Sequence, residues 1–282
     1  MPSLHERLIA ARKSLVQAGI PDEEAVLDAE VLARHVLECD RATLLTRSRD
    51  PIPSAFDRLY QPLIARRAAR EPIAYIVGHR EFWGLEFDVT PDVLIPRPET
   101  ELIIEEAVSI ASRTLTRRIV DVGTGSGCLA VALAIEFPSA RIVATDISPA
   151  ALDVAGRNAK RHNIAGRISF VQSDLLSDVD ATAQLIVSNP PYVPSRSCDD
   201  LQPEVGRYEP ASALYAGDDG LGVIRRLFAA APRCLAEDGW LVVEFGFGQD
   251  AAVRAAAAEA GWQVARIRAD LQGIPRVAVL RR

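Results

Sequence analysis

Cysteine and histidine are scarce in this 282-residue chain, which contains four of each. The four cysteines lie far apart without a CxxC pair, and the histidines show no HxxxH spacing. A disulfide framework or a zinc cluster requires such paired residues. We therefore predict that the protein has no metal site. We also predict that it is cytoplasmic and that its cysteines are reduced thiols: Cys39, Cys128, Cys198 and Cys234.

The chain also lacks an excess of positive charge and a long apolar run. Its 38 Asp and Glu residues outnumber its 32 Lys and Arg residues, giving a net charge of −6. Sequence-independent binding to DNA or RNA needs a basic surface, so we predict no stable nucleic-acid partner, although a local basic patch is compatible with this count. No run approaches the length of a membrane span, and the charged first residues lack a signal-peptide core, so we predict neither a membrane segment nor a leader.

The first eighty or so residues have the apolar spacing of helices. Leucine and alanine recur at intervals of three and four in "LHERLIAARKSL", which places them on one helix face. Gly19 predicts the end of this helix, and Asp22 predicts the N-cap of the next one. The pattern continues through "SAFDRLYQPLIARRAAR", where Pro62 is expected to kink or divide the helix.

A different pattern follows this helical region. "HREFWGLEFDVTPDVLIP" has aromatic and β-branched residues around Gly84, which predicts a hairpin. From Glu101 onward, the strand patterns "RRIVDVG", "ARIVATD", "RISFVQSD", "QLIVSN" and "GWLVVEFG" alternate for the most part with amphipathic helices. This alternation predicts an α/β fold with a doubly wound parallel sheet, closed by an antiparallel hairpin of "GWQVARIRAD" and "PRVAVLRR".

The first predicted strand of this sheet is followed by a glycine-rich turn, "VDVGTGSGCLA". In such sheets, ligands bind beyond the carboxyl ends of the strands. Gly123, Gly125 and Gly127 would let a ligand approach the backbone closely. Cys128 stands where a dinucleotide fingerprint has its last glycine, which favours a smaller nucleoside ligand.

The next two strands end in carboxylates. Asp146 can accept hydrogen bonds from a ribose diol, or it can cap the helix that follows. Asp174 can accept a hydrogen bond from an adenine amino group with Leu175 packed on the ring, or it can be an ordinary loop residue. The fourth strand ends in "SNPPYVP", so four successive strands carry polar or glycine-rich ends on one predicted edge.

These motifs carry a resemblance to a known family. "DVGTGSG", "QSD" and "NPPY" resemble the class I S-adenosylmethionine-dependent methyltransferases that modify amide or amino nitrogens. "EPIAYIVGHREFWGLEF", "LIPRPETE", "RYEPASAL" and "GWLVVEFG" are similar to the release factor glutamine methyltransferases, the PrmC/HemK family. The resemblance covers nearly the whole chain and is weakest in residues 1–70.

The resemblance implies a seven-stranded, Rossmann-like methyltransferase domain at 99–282. A helical substrate-recognition domain at 1–78 and a β-hairpin linker at 79–98 would precede it. The implied cofactor is S-adenosyl-L-methionine, and the implied partners are class-1 peptide-chain release factors, methylated on the side-chain amide nitrogen (N5) of the glutamine in their GGQ motif. The candidate cofactor residues are Gly123, Thr124, Gly125, Ser126, Gly127, Asp146, Asp174, Leu175 and Asn189.

The Asn-Pro-Pro-Tyr segment gives the implied reaction a physical basis, because an amide nitrogen is a poor nucleophile and must be positioned. We expect the Asn189 side-chain oxygen to accept one N–H of the substrate amide and the Pro190 carbonyl to accept the other. Pro191 would stiffen this backbone, and Tyr192 would form a flat wall beside the amide. Arg97 is a further candidate for substrate binding; together with Glu99 it could instead form a structural salt bridge.

Three other functions remain open at this point. A nucleic-acid amino-methyltransferase acting on adenine or guanine could use the same motif, with Tyr192 stacked on a flipped base, although the negative charge disfavours it. A nicotinamide-dependent dehydrogenase would share the sheet, but Cys128 counts against it. A non-enzymatic binding module would have no use for Asn-Pro-Pro-Tyr.

Overall fold

The computed structural model describes residues 3–47, 49–111 and 116–282, without the side chains of residues 198 and 199. The chain divides into two compact units. Unit 1 comprises Met1–Gly78 and Gln202–Tyr208, and unit 2 comprises His79–Leu201 and Glu209–Arg282. In the described part of the chain, none of the helices is long and apolar enough to span a membrane.

Most of the helices of unit 1 precede the elements of unit 2 along the chain, and one, α9 (Pro203–Tyr208), lies between two strands of unit 2 in sequence. The described α-helices are α1 Leu4–Gln17, α2 Asp22–Leu37, α3 Arg41–Thr46, α4 Phe56–Ala68, α5 Ile73–Val77, α6 Glu101–Ala111, α7 Cys128–Glu136, α8 Pro149–Arg161, α9 Pro203–Tyr208, α10 Gly222–Ala230 and α11 Asp250–Glu259. The described strands are β1 His79–Phe82, β2 Leu85–Asp88, β3 Arg118–Val122, β4 Arg141–Asp146, β5 Ile168–Gln172, β6 Ala183–Ser188, β7 Leu235–Glu244, β8 Gln263–Ala269 and β9 Pro275–Arg281.

Unit 1 is helical, as its sequence predicts, but two details differ from the predictions. Pro21 rather than Asp22 is the N-cap of α2; Asp22 is the first helical residue, and its carboxylate accepts a hydrogen bond from Arg12 at 2.7 Å. Pro62 does not divide α4, which runs unbroken. The proline lies on the exposed side, where water can solvate the carbonyl it leaves unpaired, while Tyr60 is buried and donates to the Ala29 carbonyl oxygen.

Unit 2 contains the doubly wound sheet, which confirms the predicted fold class. Its seven strands lie in the order β5-β4-β3-β6-β7-β9-β8, with β9 antiparallel to both neighbours. Alternate side chains enter two cores: Ile119 packs with α6 and α7, whereas Val120 packs with α10 and α11. A parallel sheet with both faces covered in this way is typical of α/β proteins.

The hairpin of β1 and β2 also packs into unit 2. Its two-residue turn, Trp83-Gly84, has positive φ angles at both positions, which suits the twist of paired strands. Phe82 and Phe87 are fully buried in the same core as α6 and α7. Asn158 on α8 accepts a hydrogen bond from the Asp88 N–H at 2.8 Å, so the hairpin is fixed to the helix that follows β4.

The sheet order determines where chemistry can occur. Strands β5, β4, β3 and β6 are neighbours and parallel, so their carboxyl ends lie along one edge. Strand β7 is parallel to β6 and ends at the same edge. All four polar strand ends identified from the sequence therefore share this edge with a fifth, the end of β7.

Candidate active site

A cavity of about 240 Å³ lies at this edge of the sheet in unit 2. Most of the candidate site residues line it: Arg97, Gly123, Thr124, Gly125, Ser126, Asp146, Asp174, Leu175, Asn189 and Pro191. The three remaining candidates, Gly127, Pro190 and Tyr192, are not among the lining residues that the structure describes. Gly127 and Tyr192 make contacts that are described below, and Pro190 lies between Asn189 and Pro191, which both line the cavity.

The glycine-rich turn between β3 and α7 has a backbone that only glycine accommodates readily. Gly123, Gly125 and Gly127 all have positive φ angles, of 73°, 55° and 80°. A Cβ on Gly127 would lie 2.9 Å from the Cβ of Ala155, so this glycine allows α7 and α8 to approach each other. The N–H groups of Gly123 and Thr124 both donate to the Thr145 carbonyl oxygen, which fixes the turn to the end of β4.

Asp146 orders the loop as well as facing the cavity. One carboxylate oxygen accepts the Gly125 N–H at 2.9 Å, and the other accepts the Ser148 N–H at 3.0 Å. The helix cap of α8 is Ser148 rather than Asp146, so Asp146 is not the N-cap that the sequence left open. Burial is the largest effect on Asp146 and raises the pKa of its carboxyl group, against these hydrogen bonds.

Asp174 and Leu175 form another part of the cavity wall. The Asp174 carboxylate is exposed and pairs with Arg226 at 2.6 Å. Leu175 has a φ of 54°, which is strained for a branched residue, and Thr145 donates to its carbonyl oxygen at 2.9 Å. The leucine side chain packs against the core beside β6, so an apolar surface and a carboxylate lie next to each other here.

Behind the glycine turn lies a fully buried carboxyl group, Asp121 of β3. Thr124 donates to it at 2.6 Å, which ties the turn to the strand that precedes it. Burial and, to a smaller extent, the nearby Asp146 charge raise the pKa of Asp121 to about 7, against the lowering effect of the Thr124 hydrogen bond. The acid is therefore part of the structural support of the turn.

Asn189 is oriented by residues distant in sequence. Its Nδ2 donates to Thr100 Oγ1 at 2.9 Å, and Thr100 Oγ1 donates to Glu244 at 2.6 Å. Glu244 ends β7 and is 1% exposed. Because the Asn189 amide nitrogen is engaged with Thr100, its Oδ1 is the polar atom that it can offer to a ligand in the cavity.

Tyr192 faces the interior of unit 2. Its hydroxyl donates to the second Glu244 oxygen at 3.2 Å, and its carbonyl oxygen accepts from Gln249 Nε2 at 3.0 Å. Gly220 is required nearby, because a Cβ there would lie 2.3 Å from the Tyr192 carbonyl oxygen. The Asn-Pro-Pro-Tyr backbone is thereby held on both sides of its prolines.

Arg97 at the cavity wall forms an ion pair with Glu209. The Glu209 carboxylate is buried, and it also accepts the Ile95 N–H at 3.2 Å. Burial raises the pKa of Glu209, while Arg97 opposes this effect. Arg97 thus forms a salt bridge, as one of the two interpretations of the sequence proposed, but its partner is Glu209 and not Glu99.

Sequence reasoning missed Asp121, Thr100, Glu209 and Glu244. Only Glu244 carried a usable signal: a carboxylate that ends the apolar run "LVVEFG" at the fifth strand end. The other three gain their roles from contacts between distant segments. Within the described residues, no group of three or more His, Cys, Asp or Glu side chains could hold a metal ion. Cys39, Cys128 and Cys234 are free thiols, and the Cys198 side chain lies outside the description.

Comparison with known proteins assigns this arrangement to a family. Residues 6–78 match the PrmC N-terminal domain model, and residues 100–202 match the methyltransferase small domain model. A ribosomal protein L11 methylase structure from Lactobacillus delbrueckii subsp. bulgaricus aligns with a TM-score of 0.50 at 23% identity, over 66% of this chain and 80% of that one. This likeness shows the fold alone.

Sequence relatives are closer. The release factor glutamine methyltransferase of Koribacter versatilis is 40% identical over 282 residues, covering 99% of both chains. That of Burkholderia pseudomallei is 44% identical over 258 residues, covering 89% of this chain and 90% of the relative. Since the match extends over both units at this identity, the chain belongs to the release factor glutamine methyltransferase family.

Proposed function

We propose that this enzyme transfers the methyl group of S-adenosylmethionine to N5 of the glutamine side chain in the GGQ motif of class-1 peptide-chain release factors. The observation that carries the proposal is the hydrogen bond from Asn189 Nδ2 to Thr100, which leaves Asn189 Oδ1 as an acceptor at the cavity wall. An acceptor in this place suits a substrate group with two N–H donors, such as a primary carboxamide.

The residues that line the cavity suit the cofactor in their chemistry. Gly123 and Gly125 have positive φ angles, and a Cβ on either would meet nothing within 4 Å in the described structure, so a ligand could approach their backbone. Asp146 is already oriented by two N–H groups and retains lone pairs for a ribose diol. Asp174 and Leu175 offer an acceptor and an apolar surface for an adenine. The bound cofactor supplies an activated sulfonium methyl group.

The protein groups then position the acceptor nitrogen. Asn189 Oδ1 accepts one N–H of the glutamine amide, and the Pro190 carbonyl accepts the other. Both contacts stabilise the positive charge that develops on the nitrogen during transfer. Tyr192 and Pro191 fix the backbone that carries these acceptors, and Arg97 borders the substrate side of the cavity. The methylated nitrogen can lose its extra proton to water, so a general base is not required.

Unit 1 is proposed to recognise the protein substrate, since the cavity residues all belong to unit 2. We further propose that the enzyme acts in the cytoplasm, where the free thiols Cys39, Cys128 and Cys234 would stay reduced.

The proposal is tested by incubating the enzyme with S-adenosylmethionine and a purified class-1 release factor, followed by mass spectrometry of the GGQ peptide. We expect a single added methyl group on the glutamine. A release factor with that glutamine replaced by alanine is the control. DNA and RNA are supplied in parallel reactions, and methylation of either in place of release factor would overturn the proposal.

Asn189→Ala tests the role of the motif. We expect kcat to fall about 100-fold or more, because the variant lacks an acceptor that acts on the developing charge. The dissociation constant of S-adenosylmethionine, measured by calorimetry, should change less than about threefold. A variant with near-normal kcat would contradict the role that we assign to this side chain.

A further inference from the structure

We infer that Thr100 and Glu244 are positioning residues that set which atom of the Asn189 amide faces the substrate. The inference rests on the proposed function and deepens it. Asn189 alone has no means of choosing between its two amide orientations, which are nearly equal in shape and opposite in hydrogen-bonding character. In the wrong orientation, Nδ2 would meet the substrate N–H, and two donors would oppose each other.

The direction of the hydrogen bonds begins at Glu244. An ionised carboxylate can only accept hydrogen bonds. Thr100 therefore donates its one hydroxyl proton to Glu244, at 2.6 Å. The Thr100 oxygen is then left as an acceptor toward Asn189, whose Nδ2 it binds at 2.9 Å. Because Glu244 can only accept, Thr100 must donate to it and accept from Asn189. This direction of the two hydrogen bonds places Asn189 Oδ1 on the side of the substrate.

Burial makes this direction hard to reverse. Glu244 and Thr100 are 1% and 2% exposed, so water does not compete for their hydrogen bonds. An unpaired buried donor or acceptor is costly, and the alternative amide orientation would face the Thr100 lone pair with Oδ1. The orientation of Asn189 is therefore held before substrate binds.

Glu244 also reaches the last residue of the motif. Its other oxygen, Oε1, accepts from the Tyr192 hydroxyl at 3.2 Å. A single carboxylate thus holds Asn189 through Thr100 and holds Tyr192 directly. The two ends of Asn-Pro-Pro-Tyr are fixed to the same group on β7, which explains why a buried acid is placed behind this loop.

Thr100→Val and Thr100→Ser separate positioning from packing. Valine keeps the shape and removes the hydroxyl, whereas serine keeps the hydroxyl. We expect the valine variant to lose about 30-fold in kcat, the effect of one misdirected hydrogen bond of about 2 kcal/mol, with the KM for release factor and the affinity for S-adenosylmethionine changed less than about threefold. The serine variant should retain kcat within about threefold.

Ser188→Ala is the matched control. Ser188 precedes Asn189 in sequence, and its buried hydroxyl donates to the Val122 carbonyl oxygen at 2.8 Å, outside the series of hydrogen bonds that joins Glu244, Thr100 and Asn189. The Ser188→Ala variant should have a lower melting temperature, because a buried hydrogen bond is lost, and its kcat should stay within about twofold of the wild-type value. Assays are run at pH 8, because burial and the Glu99 charge raise the pKa of Glu244 to about 7, against the lowering effects of the Thr100 and Tyr192 hydrogen bonds and of the Arg276 charge.

Glu244→Gln provides an independent test that preserves volume. Its amide nitrogen is a donor and must face Thr100 or Tyr192. In the first orientation Thr100 can turn its proton toward Asn189, and in the second the Tyr192 hydroxyl loses its acceptor, so one of the two connections to the motif is lost in either case. We expect kcat to fall at least about 30-fold with cofactor affinity retained. The inference would be overturned if Thr100→Val and Glu244→Gln both retained the wild-type kcat. It would also be overturned if Thr100→Ser lost as much kcat as Thr100→Val. Failure of the wild-type enzyme to methylate release factor would instead overturn the proposed function.

Discussion

At the scale of single residues, burial decides what each carboxylate of unit 2 can do. Asp121 and Glu244 are buried, and their pKa values are both raised to about 7. Asp174 is exposed and paired with Arg226. The first two are suited to holding neighbouring groups in fixed orientations, whereas Asp174 remains accessible to a ligand. Residue type alone did not distinguish these roles.

The raised pKa of Asp121 leads to a prediction about stability and pH. The folded state holds this proton more tightly than the unfolded state, so the stabilisation is complete below about pH 4 and is lost as pH rises through about 7. Asp121→Asn should remove this loss, which amounts to at most about 4 kcal/mol. Chemical denaturation at pH 5 and pH 8 measures the part of this loss that falls between these two pH values, at most about 3 kcal/mol. Equal changes in the free energy of unfolding for wild type and variant would contradict the prediction.

Asp146→Ala should weaken cofactor binding. We expect the dissociation constant of S-adenosylmethionine to rise about 30-fold, or about 2 kcal/mol, from the loss of two charge-assisted hydrogen bonds to the ribose. The comparison is Asp174→Ala, whose exposed carboxylate should contribute less. Calorimetric titration of both variants decides the matter, and an unchanged constant for Asp146→Ala would reject the ribose contact.

At the scale of elements, backbone geometry and packing override local preference. α4 stays continuous through Pro62 because its buried side chains pack in the core of unit 1. The turn between β3 and α7 is less tolerant of substitution than α4. Its positive φ angles at Gly123, Gly125 and Gly127 are unfavourable for residues other than glycine. A helix tolerates an unfavourable residue on its exposed face, whereas this turn depends on its glycines.

Gly127→Ala should therefore destabilise the protein by about 1–3 kcal/mol, through a strained φ and a 2.9 Å contact with Ala155 Cβ. It should also weaken cofactor binding, because the turn would shift. Gly156→Ala on α8 is the control, because its Cβ would meet nothing within 4 Å in the described structure. This alanine should raise the free energy of unfolding by about 0.5–1 kcal/mol. Thermal melts compare the two, and equal stability of both variants would refute the steric argument.

At the scale of the whole molecule, the chain does not divide at one point. Gln202–Tyr208 belongs to unit 1, although the residues on either side of it belong to unit 2. Within unit 1, Glu204 of this segment pairs with Arg67 and with Arg70, each at 2.7 Å. Arg67 also donates to Asp28 at 2.6 Å. A buried arginine thus holds the returning segment against helices α2 and α4.

Arg67→Met should destabilise unit 1 by about 3–5 kcal/mol, because Asp28 and Glu204 would lose their buried partner. Hydrogen exchange in residues 202–208 should accelerate, while the affinity for S-adenosylmethionine stays unchanged. Arg41→Met is the control, since its pair with Glu30 leaves the Arg41 side chain 58% exposed and should cost less than about 1 kcal/mol. Unaltered exchange in residues 202–208 would show that Arg67 does not hold the segment.

The sequence by itself determined the long helices and the strands, the sheet class, the family and the strand ends that carry the candidate site. These follow from local signals: hydrophobic periodicity, and glycines, prolines and carboxylates at fixed places along the chain. Only the tertiary structure decided that Asn189 donates to Thr100, that Thr100 donates to Glu244, and that Arg97 pairs with Glu209. Asn189 and Thr100 are 89 residues apart, and Thr100 and Glu244 are 144 apart. Hydrogen-bond direction depends on such partners in space, and folding alone brings them together.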